Sequence, residues 1–168
     1  LHEGIVTLSG GVVVKQGYRE LRSDTATLDR GQQRSKLKGN ISVREPGILL
    51  RGDEAKFNSK TGEAVIQNSQ FVLHKQHFRG TAERLRRDED GNIHLFDGSL
   101  SYCAPGDKDW AISATKIELD VEEGMGTARG AKIEVADVPI LYLPWLRFPL
   151  DDQRRTGVLW PAMGTDSK

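Results

Sequence analysis

The chain has 168 residues, 37% of them apolar, and its 24 Lys and Arg balance its 24 Asp and Glu. Zero formal charge and a pI near 7.1 argue against a nucleic-acid partner, which calls for a basic excess. No apolar run approaches the ~18 residues of a membrane-spanning helix, and a mean hydropathy of −0.50 suits a modest core spread along an elongated body.

Strand signals dominate from the start. Ile5-Val6-Thr7-Leu8 leads through Gly10-Gly11 into Val12-Val13-Val14, Gly17 turns, and Leu21 to Leu28 forms the next stretch. There Ala26 and Leu28 fall on one face and Thr25 and Thr27 on the other. The segment Arg30 to Lys38 is polar and reads as a loop. Ile41 and Val43 then face inward, and Glu45-Pro46-Gly47 turns. Leu49 to Phe57 is a strand, Ser59 to Gly62 a turn, and Ala64 to Ile66 and Phe71 to His74 continue the alternation. Near Phe71 and Leu73 the facing is ambiguous by one residue. Asp90-Gly91, between Leu85 and Ile93, is a hairpin turn, because both residues tolerate positive φ. Leu100 and Tyr102 share a face, Ala104 to Asp109 is a loop, and Ile117, Leu119 and Val121 alternate along the next strand. Glu122 to Gly126 turns, and Ile133 with Val135 closes the series.

The pattern repeats. Gly10, Gly39, Asn68, Gly98 and Gly130 open successive units 29 to 32 residues apart, and Leu28, Phe57, Leu85 and Ile117 form a second ladder of similar period. Two ladders on one period indicate stacked β units, each with an apolar face that it cannot bury alone. Apolar positions at helical spacing never persist, so the expected class is all-β: a sandwich, roll or solenoid. After Asp137 the prolines Pro139, Pro144, Pro149 and Pro161 interrupt any strand, so residues 138–168 read as an extended connector leaving a domain over 1–137. Gly157 to Trp160 reads as the opening strand of a further domain.

Chemistry is sparse. The sequence has no nucleophile elbow, phosphate-binding glycine loop or zinc-protease helix, so no enzyme and no cofactor are expected. His74 and His77, three apart, would fall on opposite faces of a strand and make no two-ligand metal site. Asp88 to Asn92 begins like a calcium loop, but Ser99 stands where the bidentate acid belongs. The single cysteine, Cys103, is an idle thiol or half of a bridge to another part of the protein. Lys36 and Lys38, Arg84, Arg86 and Arg87, and Arg154 and Arg155 are basic clusters, either a solvated face or phosphate contacts at a groove rim.

One series of motifs is more specific. Tyr102-Cys103-Ala104-Pro105, Trp110-Ala111-Ile112-Ser113-Ala114, Val138-Pro139-Ile140-Leu141-Tyr142-Leu143-Pro144, Phe148-Pro149 and Arg154-Arg155-Thr156-Gly157 follow in that order. This series resembles the lipopolysaccharide-assembly outer-membrane family LptD, at the end of its periplasmic domain and the entry to its barrel. Earlier segments, Ser23-Asp24-Thr25-Ala26 and Gly39-Asn40-Ile41-Ser42-Val43, resemble the OstA-type repeat shared with the bridge proteins LptA and LptC. The resemblance implies an open, V-shaped β-jellyroll of stacked antiparallel strands on the periplasmic side of the outer membrane. Lipopolysaccharide acyl chains would slide along its interior on the way from the periplasmic bridge to the barrel. The first strand would accept the sheet edge of an LptA-like bridge. The chain's own C-terminal barrel and an LptE-like lipoprotein would follow, with Pro139, Pro144 and Pro149 as the hinge and Cys103 bridging to the barrel. The expected groove lining is Val12, Val14, Leu28, Ile41, Val43, Phe57, Leu73, Leu85, Leu100, Tyr102, Ile117, Leu119, Ile133 and Val135. The rival is a bridge-type β scaffold that stacks end to end without cargo. The proline-rich exit counts against it, since a bridge would end in a pairing strand.

Overall fold

A computed structural model describes residues 4–74, 77–102 and 110–150. Its strands are β1 (Ile5–Gln16), β2 (Arg19–Asp29), β3 (Arg34–Glu45), β4 (Ile48–Asn58), β5 (Ala64–Leu73), β6 (Phe78–Arg87), β7 (Ile93–Ser101), β8 (Ala111–Asp120), β9 (Met125–Val135) and β10 (Val138–Pro149). They form one antiparallel sheet in chain order, β1 at one edge and β10 at the other, with no helix among the described residues. Short polar turns make this order the easy one. At the β6–β7 turn, for example, the Asp88 carboxylate accepts the Asn92 N–H at 2.8 Å and Gly91 takes φ 86°.

The sheet is creased across its middle. In β8 the buried apolar positions are Ile112, Ala114, Ile117 and Leu119, so the spacing runs two, three, two. The same step of three separates Ser23 from Ala26, Gly52 from Ala55, Ile66 from Ser69, Ala82 from Leu85, Leu95 from Gly98 and Ala128 from Ala131. An ideal strand alternates by two, so each step of three turns the second half of a strand over. The inner side stays inner only because the chain bends there. Left-handed backbone marks the same line at Asn40 (φ 44°), Asn68 (φ 50°) and Asp97 (φ 48°) in β3, β5 and β7. Carboxylates from the neighbouring strands hold it: Asn40 Nδ2 donates to Asp24 Oδ2 at 2.9 Å and Asn68 Nδ2 to Asp53 Oδ2 at 2.8 Å. At Gly39 (φ 76°) a side chain would meet the Asp24 carboxylate at 2.1 Å, so glycine is required. The units of the first ladder therefore open at the crease of β1, β3, β5, β7 and β9.

Burial shows that the creased sheet closes on itself. Leu95 and Ile117, direct cross-strand partners, are 0% exposed on a sheet in which each strand's backbone lies alongside only its neighbours in chain order. The cover over them is the other half of the same sheet, and buried residues of both halves form one cluster. A bond between opposite strand ends agrees: the Tyr102 hydroxyl, just past the top of β7, donates to the Pro149 carbonyl at the bottom of β10 at 2.8 Å.

Four expectations need correction. Arg34 to Lys38 is not loop but the first half of β3, with Leu37 buried opposite Ala55; its charges sit on the outer face. Val138–Pro149 is not an extended connector but β10, paired along its length with β9. Pro139, Pro144 and Pro149 are tolerated there because an edge strand has a neighbour on one side only, so a missing N–H can fall on the free side. The second ladder is not one row: Leu28 and Phe57 align through Ser35, whereas Leu85 and Ile117 align through Leu95 one row nearer the crease. His74 and His77 lie in a turn, not on a strand. Cys103 and residues 151–168 lie outside the described residues.

The crease gives a direct test. Replacing Asn68 with Ala keeps a Cβ in left-handed backbone but removes the polar side chain that eases it there and bonds Asp53, and should cost about 1–2 kcal/mol in chemical denaturation. Asn68→Gly should recover most of that loss. Equal losses for the two variants would mean that backbone conformation is not what Asn68 supplies.

Candidate functional site

The inner face collects the fourteen expected lining residues onto one side of the folded sheet. Val12, Ile41, Leu73, Leu85, Leu100, Ile117 and Leu119 are buried, and Val43, Tyr102 and Ile133 are half-buried. Val14, Leu28, Phe57 and Val135 are exposed, at 53%, 37%, 40% and 41%. Phe71 and Leu73 both point inward, which settles the facing between them. The interior is therefore graded. It is filled most tightly in β7 to β9 around Leu95, Ile117 and Ala128, and it reaches solvent at Val14, Leu28 and Phe57 on β1, β2 and β4 and at Val135 at the end of β9.

Alternation alone missed much of this face. Leu37, Leu50, Ile66, Leu95, Ile112 and Phe148 are buried with the expected residues. The step of three at each crease is the signal that would have found them.

The far end of the mouth is latched. Phe78 packs edge-on against Tyr102 at 5.8 Å, and Tyr102 stacks on Trp110 at 5.5 Å. With the Tyr102–Pro149 bond, this chain of rings ties the upper half-sheet to the lower one near β10. Leu150 is buried there, its N–H bonded to the Gly124 carbonyl at 2.9 Å.

Among the described residues, both terminal strands have one unpaired side. Each carries exposed apolar side chains: Ile5, Leu8, Val13 and Val14 on β1, and Val138, Ile140, Leu141, Tyr142 and Trp145 on β10. Unpaired backbone beside apolar side chains is a template for another strand.

The outer face of the lower half-sheet is basic. One row across the strands carries Lys36, Lys56, Arg86, His94, Glu118 and Arg147, and the next carries Lys38, Glu54, Arg84, Phe96, Lys116 and Arg129. Eight Lys and Arg there face two carboxylates. The Lys36 ammonium, 3.1 Å from Glu54, holds that carboxyl below the usual carboxylate range against partial desolvation, helped by Lys38 and Lys56. The Arg84 guanidinium lies 4.1 Å above the Phe96 ring. His94 contacts Asp88 at 2.9 Å and lowers the Asp88 pKa.

A folded sheet with an apolar inner face, a latched end and an edge strand on either side is an edge-open β-jellyroll. The chain belongs to the family described as LptA/(LptD N-terminal domain) LPS transport protein, whose model matches residues 2–125. It is 39% identical over 158 residues to the LPS-assembly protein LptD of Saccharophagus degradans, covering 94% of this chain and 18% of that protein. It is 41% identical over 163 residues to LptD of Pseudomonas entomophila, covering 97% of this chain and 17% of that protein. The chain thus spans less than a fifth of the length of either relative. Its fold is similar to the crystal structure of LptH, the LptA homologous periplasmic component of the lipopolysaccharide transport device of Pseudomonas aeruginosa. That likeness has a TM-score of 0.54 at 13% identity and covers 77% of this chain and 93% of the other.

The latch is testable. Tyr102→Phe keeps the ring stack and removes the hydroxyl, at a cost of about 0.5–1.5 kcal/mol. Hydrogen exchange should speed at Leu150 and Phe148 and stay unchanged in β4 and β5. Unchanged exchange at Leu150 would show that the bond does not hold this end shut.

Proposed function

We propose that this chain carries lipopolysaccharide acyl chains along its inner face, on the periplasmic side of the outer membrane. The observation that carries the reading is the graded interior: one continuous apolar surface that reaches solvent at Val14, Leu28 and Phe57. Family membership and the LptA-like fold support it. The lining is the set of fourteen residues from Val12 to Val135 expected from the sequence.

Energetics favour an open groove. Each methylene taken out of water contributes about 0.8 kcal/mol, so a site enclosing several whole acyl chains would hold them too tightly to pass them on. Partly exposed positions stabilise a chain less and leave it free to slide between similar sites. Because Leu95 and Ile117 fill the centre, passage toward β10 needs the two half-sheets to part. No chemistry on the cargo is required, in keeping with a transport role and not catalysis.

The edges give the direction. An LptA-like bridge adds its terminal strand to the free side of β1, and the remainder of the protein, a C-terminal barrel with an LptE-like lipoprotein, follows β10. Cys103 bridges to that barrel. The stacking scaffold loses its main counter-argument, since β10 is a pairing strand with a free side. The conduit remains the better reading because a pure scaffold has no use for Phe57 and Leu28 left in water on the inner face.

Photoreactive residues at Leu28 and Phe57 should crosslink to lipopolysaccharide in cells, and one at the outward Gln70 should not. Phe57→Asp should lower the crosslinking yield from Leu28 about tenfold without unfolding, because Phe57 is already 40% exposed. A charge at Ile117 is the wrong test, since burial there would unfold the sheet. Equal yields from Leu28 and Gln70 would refute the lining.

A further inference from the structure

The basic outer face carries a cavity of ≈ 730 Å³ at the lower rim of β3 to β6. Five cations border it: Arg34, Lys36, Lys56, Arg84 and Arg86. Its two carboxylates are already engaged. Asp29 accepts the Gln32 N–H at 2.9 Å, and Glu63 accepts Arg86 at 3.2 Å. Lys36 and Lys56 are direct cross-strand partners. Like charges opposite each other destabilise a sheet, so this pair works against the fold unless an anion lies between the two ammonium groups. Glu54 offsets Lys36 by direct contact and Lys56 only at longer range, and among the described residues Lys56 has no carboxylate within ion-pair distance.

The cavity also reaches round the rim. Ser35, Phe57 and Ala64 belong to the inner row, yet they border the same space as the lysines. A molecule seated there can lay an apolar portion on Phe57 and an anionic portion on Lys36 and Lys56 without crossing the sheet. Asn58, Gln67 and Thr27 add donors and acceptors suited to hydroxyl groups, and the Phe96 ring offers a flat apolar surface. The volume falls within the roughly 300–1,000 Å³ of small-ligand sites.

We infer that this rim cavity binds the phosphorylated saccharide headgroup of the amphiphile whose acyl chains enter beside Phe57, with Lys36 and Lys56 as its phosphate contacts. The inference rests on the conduit reading and adds a headgroup station to it. Arg87 supports it from the other side, falling in the inner row at the exposed end of β6, where a second phosphate can be met. The arrangement sets the orientation of entry: phosphates outside the rim, hydrocarbon inside.

The test compares lipid A with enzymatically dephosphorylated lipid A, each binding to the chain and to a Lys36→Gln/Lys56→Gln double variant. The unsubstituted chain should bind the phosphorylated lipid about tenfold more tightly, as charge-assisted contacts to phosphate require. The double variant should lose that preference, bind the dephosphorylated lipid as before, and stay folded, because the like-charge pair it removes offsets the exposed Lys36–Glu54 ion pair it breaks. Tight binding of both lipids without preference, or a preference that survives in the double variant, overturns the headgroup site and leaves the conduit standing. Failure of the unsubstituted chain to bind either lipid overturns both.

Discussion

Everything in this molecule depends on a step of three residues at the middle of its strands. A sheet with one apolar face has to cover that face with something, and this chain has no helix or second sheet among the described residues to do it. It uses the other half of each strand instead. The step inverts alternation where the strand bends, so the apolar positions before and after the bend meet across the interior. Asp24 with Asn40, and Asp53 with Asn68, fix the line of bending from outside, where their polar groups remain in water. Move the step in one strand and half of its apolar side chains would turn to solvent.

This arrangement decides what was legible in the sequence. Period, strand class and most turns could be read from glycine, proline and alternating residues, because those signals are local. The inner face could be read only in part. Alternation carried straight through the bend loses phase, which is why the facing of Phe71 and Leu73 is ambiguous in the sequence and why nothing local marks Leu95, as buried as any residue. The first half of β3 reads as a loop because its outward residues, Arg34, Lys36 and Lys38, outweigh a single inward Leu37. The tenth strand was obscured by its prolines. Three prolines exclude a central strand but not an edge strand, and nothing local says which a segment will be. The pairing of Lys36 with Lys56 was out of reach, since register across strands is a property of the folded sheet.

The interior and the outer face divide the work. Inside, most positions are apolar and differ in depth and exposure, so a hydrocarbon chain on the proposed conduit would meet a graded surface. Outside, charge is concentrated on the lower half-sheet although the chain as a whole is neutral. An amphiphile has two parts with opposite preferences, and this fold presents the matching surfaces on the two sides of a single rim. The latch at Tyr102 and Pro149 stands at the far end, so access is easiest near β1 to β4 and most restricted where the chain continues beyond β10.

Because strands pair only with their neighbours along the chain, cross-section and reach are set independently. The width of the interior follows from half-strand length on either side of the bend. Reach follows from the number of hairpins, each adding roughly 9–10 Å at the usual strand spacing. Duplicating or losing one hairpin of about 29 residues would lengthen or shorten the body while leaving its bore alone. A sheet of this kind can be fitted to the gap it must span simply by counting hairpins, as a ladder is fitted to a wall by counting rungs.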